Sequence, residues 1–236
     1  MDVAAHSSRQ RLPVAAYDLA MRLGADQSRI SPGVRLRQTG RMKQVGTSRW
    51  MDFRAKQTTA NFRCTFDWRA RTGPLGMVFV RDELTEAGGR CDARVLGFIP
   101  VAHVTTSAAL TRGQLMRYLA ELAWAPEAIL LNEALRWRPD GPDKLFVAAG
   151  SGDTAAEIML SLDGQGRIRE AFAPDRPRAT KGSIHPTPWR GRFSDYRRHR
   201  GMWLPFAGTV AWIFDDVEDV CWHGALAQWE TQHAQR

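Results

Sequence analysis

Arg117, Tyr118 and Glu121 fall on adjacent turns of the most helical stretch of this 236-residue chain, and Tyr118 and Glu121 are i, i+3 neighbours. A carboxylate beside a phenol can move a proton if burial raises its pKa. The same carboxylate does no chemistry if an arginine pairs with it, and a buried charge needs such a partner. Tyr196 and His103 are further acid/base candidates, His103 lying just before the helix in apolar surroundings. The six histidines are scattered, and none stands at i, i+4 from a second ligand, so no metal site is expected. Cys64, Cys91 and Cys221 are far apart and odd in number, which fits buried small side chains better than disulfides or zinc. There is no GxSxG, P-loop, GxGxxG after a strand, HExxH or CxxC, and no cofactor is expected.

Nine tryptophans are spread over nearly every element. An indole offers a large apolar area with one N–H to place, so it can fill a core or line an apolar cavity. The residues expected to line such a cavity are Trp50, Trp68, Trp137, Trp189 and Trp212, together with Arg117, Tyr118, Glu121 and Tyr196.

The elements that would position these residues can be read from periodicity. Leu12 to Leu23 has helical character, with Pro13 at the first turn, Gly24 as a stop, and Val14, Leu19 and Leu23 on one face. From Val34 to about Val101 the pattern alternates, as in Phe62, Cys64, Phe66 and Trp68 against Arg63, Thr65, Asp67 and Arg69. Turn signals between these short runs indicate an antiparallel meander. Thr105 to Trp124 is the long helix, with Thr111 and Gln114 as a capping box, Leu115, Leu119 and Leu122 inward, and Pro126 as the end. Strands resume at Ala134 and continue as hairpins around Pro139–Asp143 and Asp163–Gly166. Pro174 to Pro188 reads as a Pro-rich loop, followed by strands at Thr209–Phe214 and Val217–Trp229. The expected fold is mainly β: one curved antiparallel sheet or half-barrel around one long central helix. Residues 1–33 form an N-terminal helical segment and 34–236 the half-barrel domain.

Lys+Arg number 33 against 25 Asp+Glu, a net charge of +8. Arg35 to Arg71 holds ten basic residues and two acids, Arg176 to Arg200 holds eight and one, and Val210 to Glu230 holds five acids with no Lys or Arg. That polarity suits an anionic small molecule or membrane surface. Nucleic acid ranks last, since it rests on charge without a motif or aromatic-basic platform. With no apolar leader in MDVAAHSSRQRLP and no apolar run of membrane-span length, a cytoplasmic location is expected.

Leu36-Arg37-Gln38-Thr39-Gly40-Arg41-Met42 and Trp50-Met51-Asp52-Phe53-Arg54-Ala55-Lys56-Gln57 resemble the opening of an uncharacterised bacterial family known as a domain of unknown function. Arg117-Tyr118-Leu119-Ala120-Glu121, followed by Trp124, Pro126 and Ala128, is similar to its helix motif. Trp189-Arg190-Gly191, Asp195-Tyr196, Gly201, Pro205 and Trp212 are similar to its later signature. The pattern departs at Cys221-Trp222, where a tyrosine would be expected. The resemblance brings no activity with it. The implied architecture is similar to the half-barrels of bacterial lipoprotein carriers, which hold an apolar ligand between sheet and helix; fold alone does not fix function. The leading expectation is a binding protein for an apolar or amphipathic, anion-compatible small molecule. The alternative is a small cofactor-free enzyme using acid/base residues in the same cavity.

Overall fold

The computed structural model describes residues 12–26, 31–43, 47–95, 99–104, 106–180 and 183–232, and only the backbone of 99–104. A short helix, α1 (Val14–Arg22), precedes a meander of β1 (Gly33–Lys43), β2 (Trp50–Ala60), β3 (Phe66–Thr72), β4 (Val78–Thr85), β5 (Gly88–Val95) and β6 (Ile99–Val104). Then come α2 (Ala108–Ala120), a 3-10 turn (Glu121–Trp124) and α3 (Pro126–Leu131). A second meander follows: β7 (Arg136–Pro139), β8 (Lys144–Ala149), β9 (Ala156–Leu162), β10 (Ile168–Thr180), β11 (Ser183–His199), β12 (Met202–Phe214) and β13 (Val217–Thr231).

Antiparallel pairing of β1 with β13 joins the meanders into one 13-stranded sheet, so the first and last strands lie at its centre and β6 and β7 at its edges. A twisted sheet of this width curls, and α2 lies in the curl against β4, β5, β8, β9 and β10. The fold is therefore the expected curved antiparallel sheet around a central helix.

Because the sheet surrounds it, α2 is buried on nearly every side from Gly113 to Ala120, with Arg117 the charged exception. Leu115, Leu119 and Leu122 all point into the core, as their spacing indicates. The cap lies earlier than expected. Ser107 Oγ accepts from Leu110 N at 3.1 Å, while Thr111 Oγ1 accepts from Gly89 N at 3.0 Å and so ties the helix to β5. Pro126 does not end the helical region but opens α3, where its missing N–H is harmless.

In α1, Ala16, Leu19, Ala20 and Leu23 face inward and join the same apolar cluster as the sheet and α2; Val14 is 75% exposed, not on that face. Residues 61–65 turn before β3 begins, which leaves Phe62 46% exposed. The segment read as a Pro-rich loop is strand: β10 and β11 continue as a ribbon in which Pro177 stands opposite Pro186. Beyond Phe172 and Trp189 the ribbon has no outer neighbours in the sheet, and there proline removes no ladder bond. Among the described residues no helix is long and apolar enough to cross a membrane.

Candidate functional site

The concave face divides in two. On the closed side, α1, α2 and α3 seal the core with fully buried side chains including Tyr118, Leu119, Leu122 and Ile129. Two indole N–H groups are bonded there: Trp124 donates to Pro205 O and Trp229 to Trp124 O, both at 2.8 Å. Tyr118 OH donates to Ala60 O and accepts from Asn132 Nδ2, each at 2.9 Å, and burial drives its pKa far upward.

The inward-facing residues of the other half, here called the trough, are less covered. Its apolar surface comes from residues in phase with the buried ones on the same strands, but only half-buried: Met42, Met51, Val78, Val80, Trp212 and Trp222. Gly40, Gly224 and Gly208 share one rung across β1, β13 and β12. A Cβ at Gly224 would lie 1.9 Å from the Trp222 ring, so glycine there lets that indole lie flat on the sheet. Trp222 stacks on Phe53 with ring centroids 5.6 Å apart.

Polar groups converge where the trough meets α2. Arg117 donates from Nε to Glu121 Oε1 at 2.8 Å and from Nη1 to Asp82 Oδ2 at 2.9 Å. Gln57 Nε2 donates to the other Glu121 oxygen, and Trp68 Nε1 to Gln38 Oε1 at 3.0 Å. The guanidinium lies 4.9 Å from the Phe66 ring centroid and 5.1 Å from that of Trp68. Burial alone would lower the Arg117 pKa, but Glu121 and Asp82 outweigh it and the net shift is upward.

Arg176 lies close enough to feel these charges, and its surroundings are different. It sits 4.5 Å from the Trp189 ring centroid and 5.6 Å from that of Trp212, and among the described residues it has no hydrogen-bond or ion-pair partner. Its Nε is closed off from solvent and lacks an acceptor, as does the Nε1 of Trp189, a residue only 3% exposed. Burial first, then Arg117, pushes the Arg176 pKa down to about 10. The β10 bulge at Pro174–Asp175 positions it. Arg112 of α2 holds that bulge, binding Asp175 Oδ2 at 2.7 Å and its carbonyl at 3.0 Å.

Of the residues singled out in the sequence, Trp68, Arg117, Glu121, Trp189 and Trp212 meet at this concavity. Trp68 and Trp189 are at the same time members of the buried core cluster, as are Tyr118 and Trp137, and of the five at the concavity only Trp212 is a half-buried indole. Trp50 lies on the outer face against His223, because it is out of phase with Phe53 on β2. Tyr196 is on β11 but apart from the trough, donating to Ile168 O at 2.6 Å under Arg167. His103 lies on β6 opposite Asp92, its side chain outside the described residues. Sequence reading missed Arg176, Asp82, Gln57 and Trp222. The symmetry of Arg176-Pro177-Arg178 and His185-Pro186-Thr187 about residues 181–182 was the available sign of a hairpin.

The chain belongs to a family of unknown function, DUF6544, whose model matches residues 3–224. No curated protein matches it. Solved structures similar to this member of the family include a suggested outer membrane lipoprotein-sorting protein domain from Vibrio parahaemolyticus, at 11% identity and TM-score 0.51, covering 94% of this chain and 92% of that one. A DUF1329 family protein from Desulfovibrio piger is similar at 12% identity and TM-score 0.50, covering 94% of each chain. A LolA superfamily protein from Nitrosomonas europaea aligns at 10% identity and TM-score 0.49, covering 94% and 96%. The first two show the shared half-barrel architecture.

A separate polar depression of about 720 Å³ lies on the outer face among Arg35, Arg37, Lys56, Asp67, Arg69 and Glu230. Arg37, Lys56 and Arg69 occupy one rung of β1, β2 and β3, so like charges stand opposite one another facing solvent. Among the described residues no three His, Cys, Asp or Glu side chains cluster as metal ligands.

Proposed function

We propose that this protein binds an apolar or amphipathic small molecule in the trough between sheet and α2. The observation that carries the reading is the half-buried apolar surface on strands whose in-phase neighbours are fully buried. A sheet face that α2 leaves uncovered is apolar surface still in contact with water, which an apolar ligand would remove. The likeness in fold to a suggested lipoprotein-sorting domain supports the reading. The alternative of acid/base catalysis draws less support, because the Tyr118 and Tyr196 hydroxyls donate to backbone carbonyls and both Glu121 oxygens accept hydrogen bonds.

The test is titration with N-phenyl-1-naphthylamine, a neutral dye that brightens in apolar surroundings. Saturable 1:1 enhancement is expected, abolished in Val80→Lys and retained in Val217→Lys, at an exposed turn-flanking residue. Absence of saturable enhancement in the wild type would overturn the reading.

A further inference from the structure

We propose that the trough contains an anion subsite at Arg176 and Trp189, which selects amphiphiles carrying a single carboxylate or phosphate group. The proposal rests on the trough being the ligand site and specifies what ligand it takes.

Arginine Nε and indole Nε1 are donors only, and in a closed setting each needs an acceptor. Both are unpartnered here, and the guanidinium lies 4.5 Å from the indole centroid, so the two orphan donors are neighbours. Asp82 and Glu121 do not serve them: both acids are bonded to Arg117, and Asp82 Oδ1, although left without a partner, makes no hydrogen bond to Arg176 or Trp189. The stacked indoles hold the guanidinium in place and stabilise its charge, but they supply no oxygen. Carboxylate and phosphate oxygens match the guanidinium fork.

The charge balance points the same way. Arg117, Arg176 and Arg178 face the trough, with Arg178 4.9 Å from the Phe214 ring centroid at its mouth. Against them stand Asp82 and Glu121, while Lys43 and Asp219 pair with each other at the rim. Among the described residues that leaves one positive charge in excess, which one anionic head would neutralise. The tail would then lie on the apolar surface around Trp222 and Met42.

Competition against the bound dye tests this with four ligands: laurate, dodecyl phosphate, methyl laurate and dodecanol. Acetate and inorganic phosphate serve as heads without tails. The wild type should bind laurate or dodecyl phosphate about tenfold or more tighter than the ester and alcohol, the size of one charge-assisted hydrogen bond. Acetate and inorganic phosphate should not displace the dye; if they do, the site reads a free anion and the amphiphile proposal fails. Arg176→Gln should bring the acid and ester to within about twofold while dye binding persists, which also reports that the variant is folded. Arg37→Gln, on the outer face, should keep the preference. If the dye binds but the wild type does not distinguish acid from ester, the subsite is wrong and the trough reading stands. If neither dye nor amphiphile binds, both fail.

Discussion

Arg117 and Arg176 share one concavity and yet are held in opposite ways. Arg117 is locked between Asp82 and Glu121 where the trough meets α2. Arg176 is wedged between Trp189 and Trp212 with no acceptor for its Nε. The tryptophans divide similarly. Trp124 and Trp229 are buried with their N–H groups bonded, whereas Trp189 has an orphan N–H and Trp212 is half-buried. Trp137 also has an unpartnered N–H, although it belongs to the core cluster, and nothing in the structure accounts for it. The contrast between the two arginines is therefore one of acceptors: two acids are bonded to Arg117 and none to Arg176. A half-buried cation with no bonded acceptor is a departure from stability of the kind that binding sites carry.

The largest effect should come from the sealed half. Leu119→Ala removes a fully buried side chain under the sheet and should cost about 2–5 kcal/mol in urea denaturation. An unchanged midpoint would mean that α2 is not the core of the fold. Arg117→Met strands Asp82 and Glu121, and should cost about 2–4 kcal/mol, slightly discounted because the side chain keeps some exposure. Arg176→Met should cost nothing and raise stability by up to about 1 kcal/mol, since it removes a desolvated charge and leaves no acid without its partner. Equal losses in the two arginine variants would erase the distinction between the two arginines.

The smallest effect concerns the outer face. Arg192, and with it Arg190, bonds Glu218 and holds its pKa down at about 2, below the ordinary value of 4.5. This contribution is fully present above pH 4.5 and is lost as pH falls toward 2. The Tm should therefore drop less on acidification in Glu218→Gln than in the wild type. Identical pH profiles would show the pairing to be inert.

Much of the fold was legible because its strands alternate and its core helix is leucine-rich. The inward faces of Trp68, Ala70 and Leu119 follow directly from spacing. The β10–β11 ribbon was not legible, because prolines mark loops unless the strand has no outer neighbour to donate to. That misreading hid Arg176, the residue with the least ordinary environment. Trp50 shows the opposite failure. Its chemistry suits a pocket, but the alternation of Met51, Phe53 and Ala55 against Asp52 and Arg54 already sends it outward, so that phase outweighs residue type here. Which side of the concavity α2 and α3 seal depends on long-range pairing of β1 with β13, which no local pattern encodes.

The central claim is that the less covered half, with Trp212 and Trp222, is where a ligand rests. Bromine quenches indole emission only near contact, so titration with a fatty acid brominated along its chain reads this directly. Saturable 1:1 quenching is expected in the wild type, largely lost in the Trp212→Phe/Trp222→Phe double variant, while Trp124 and Trp229 continue to emit. Quenching of the same depth in the double variant, or none that saturates in the wild type, would contradict the claim.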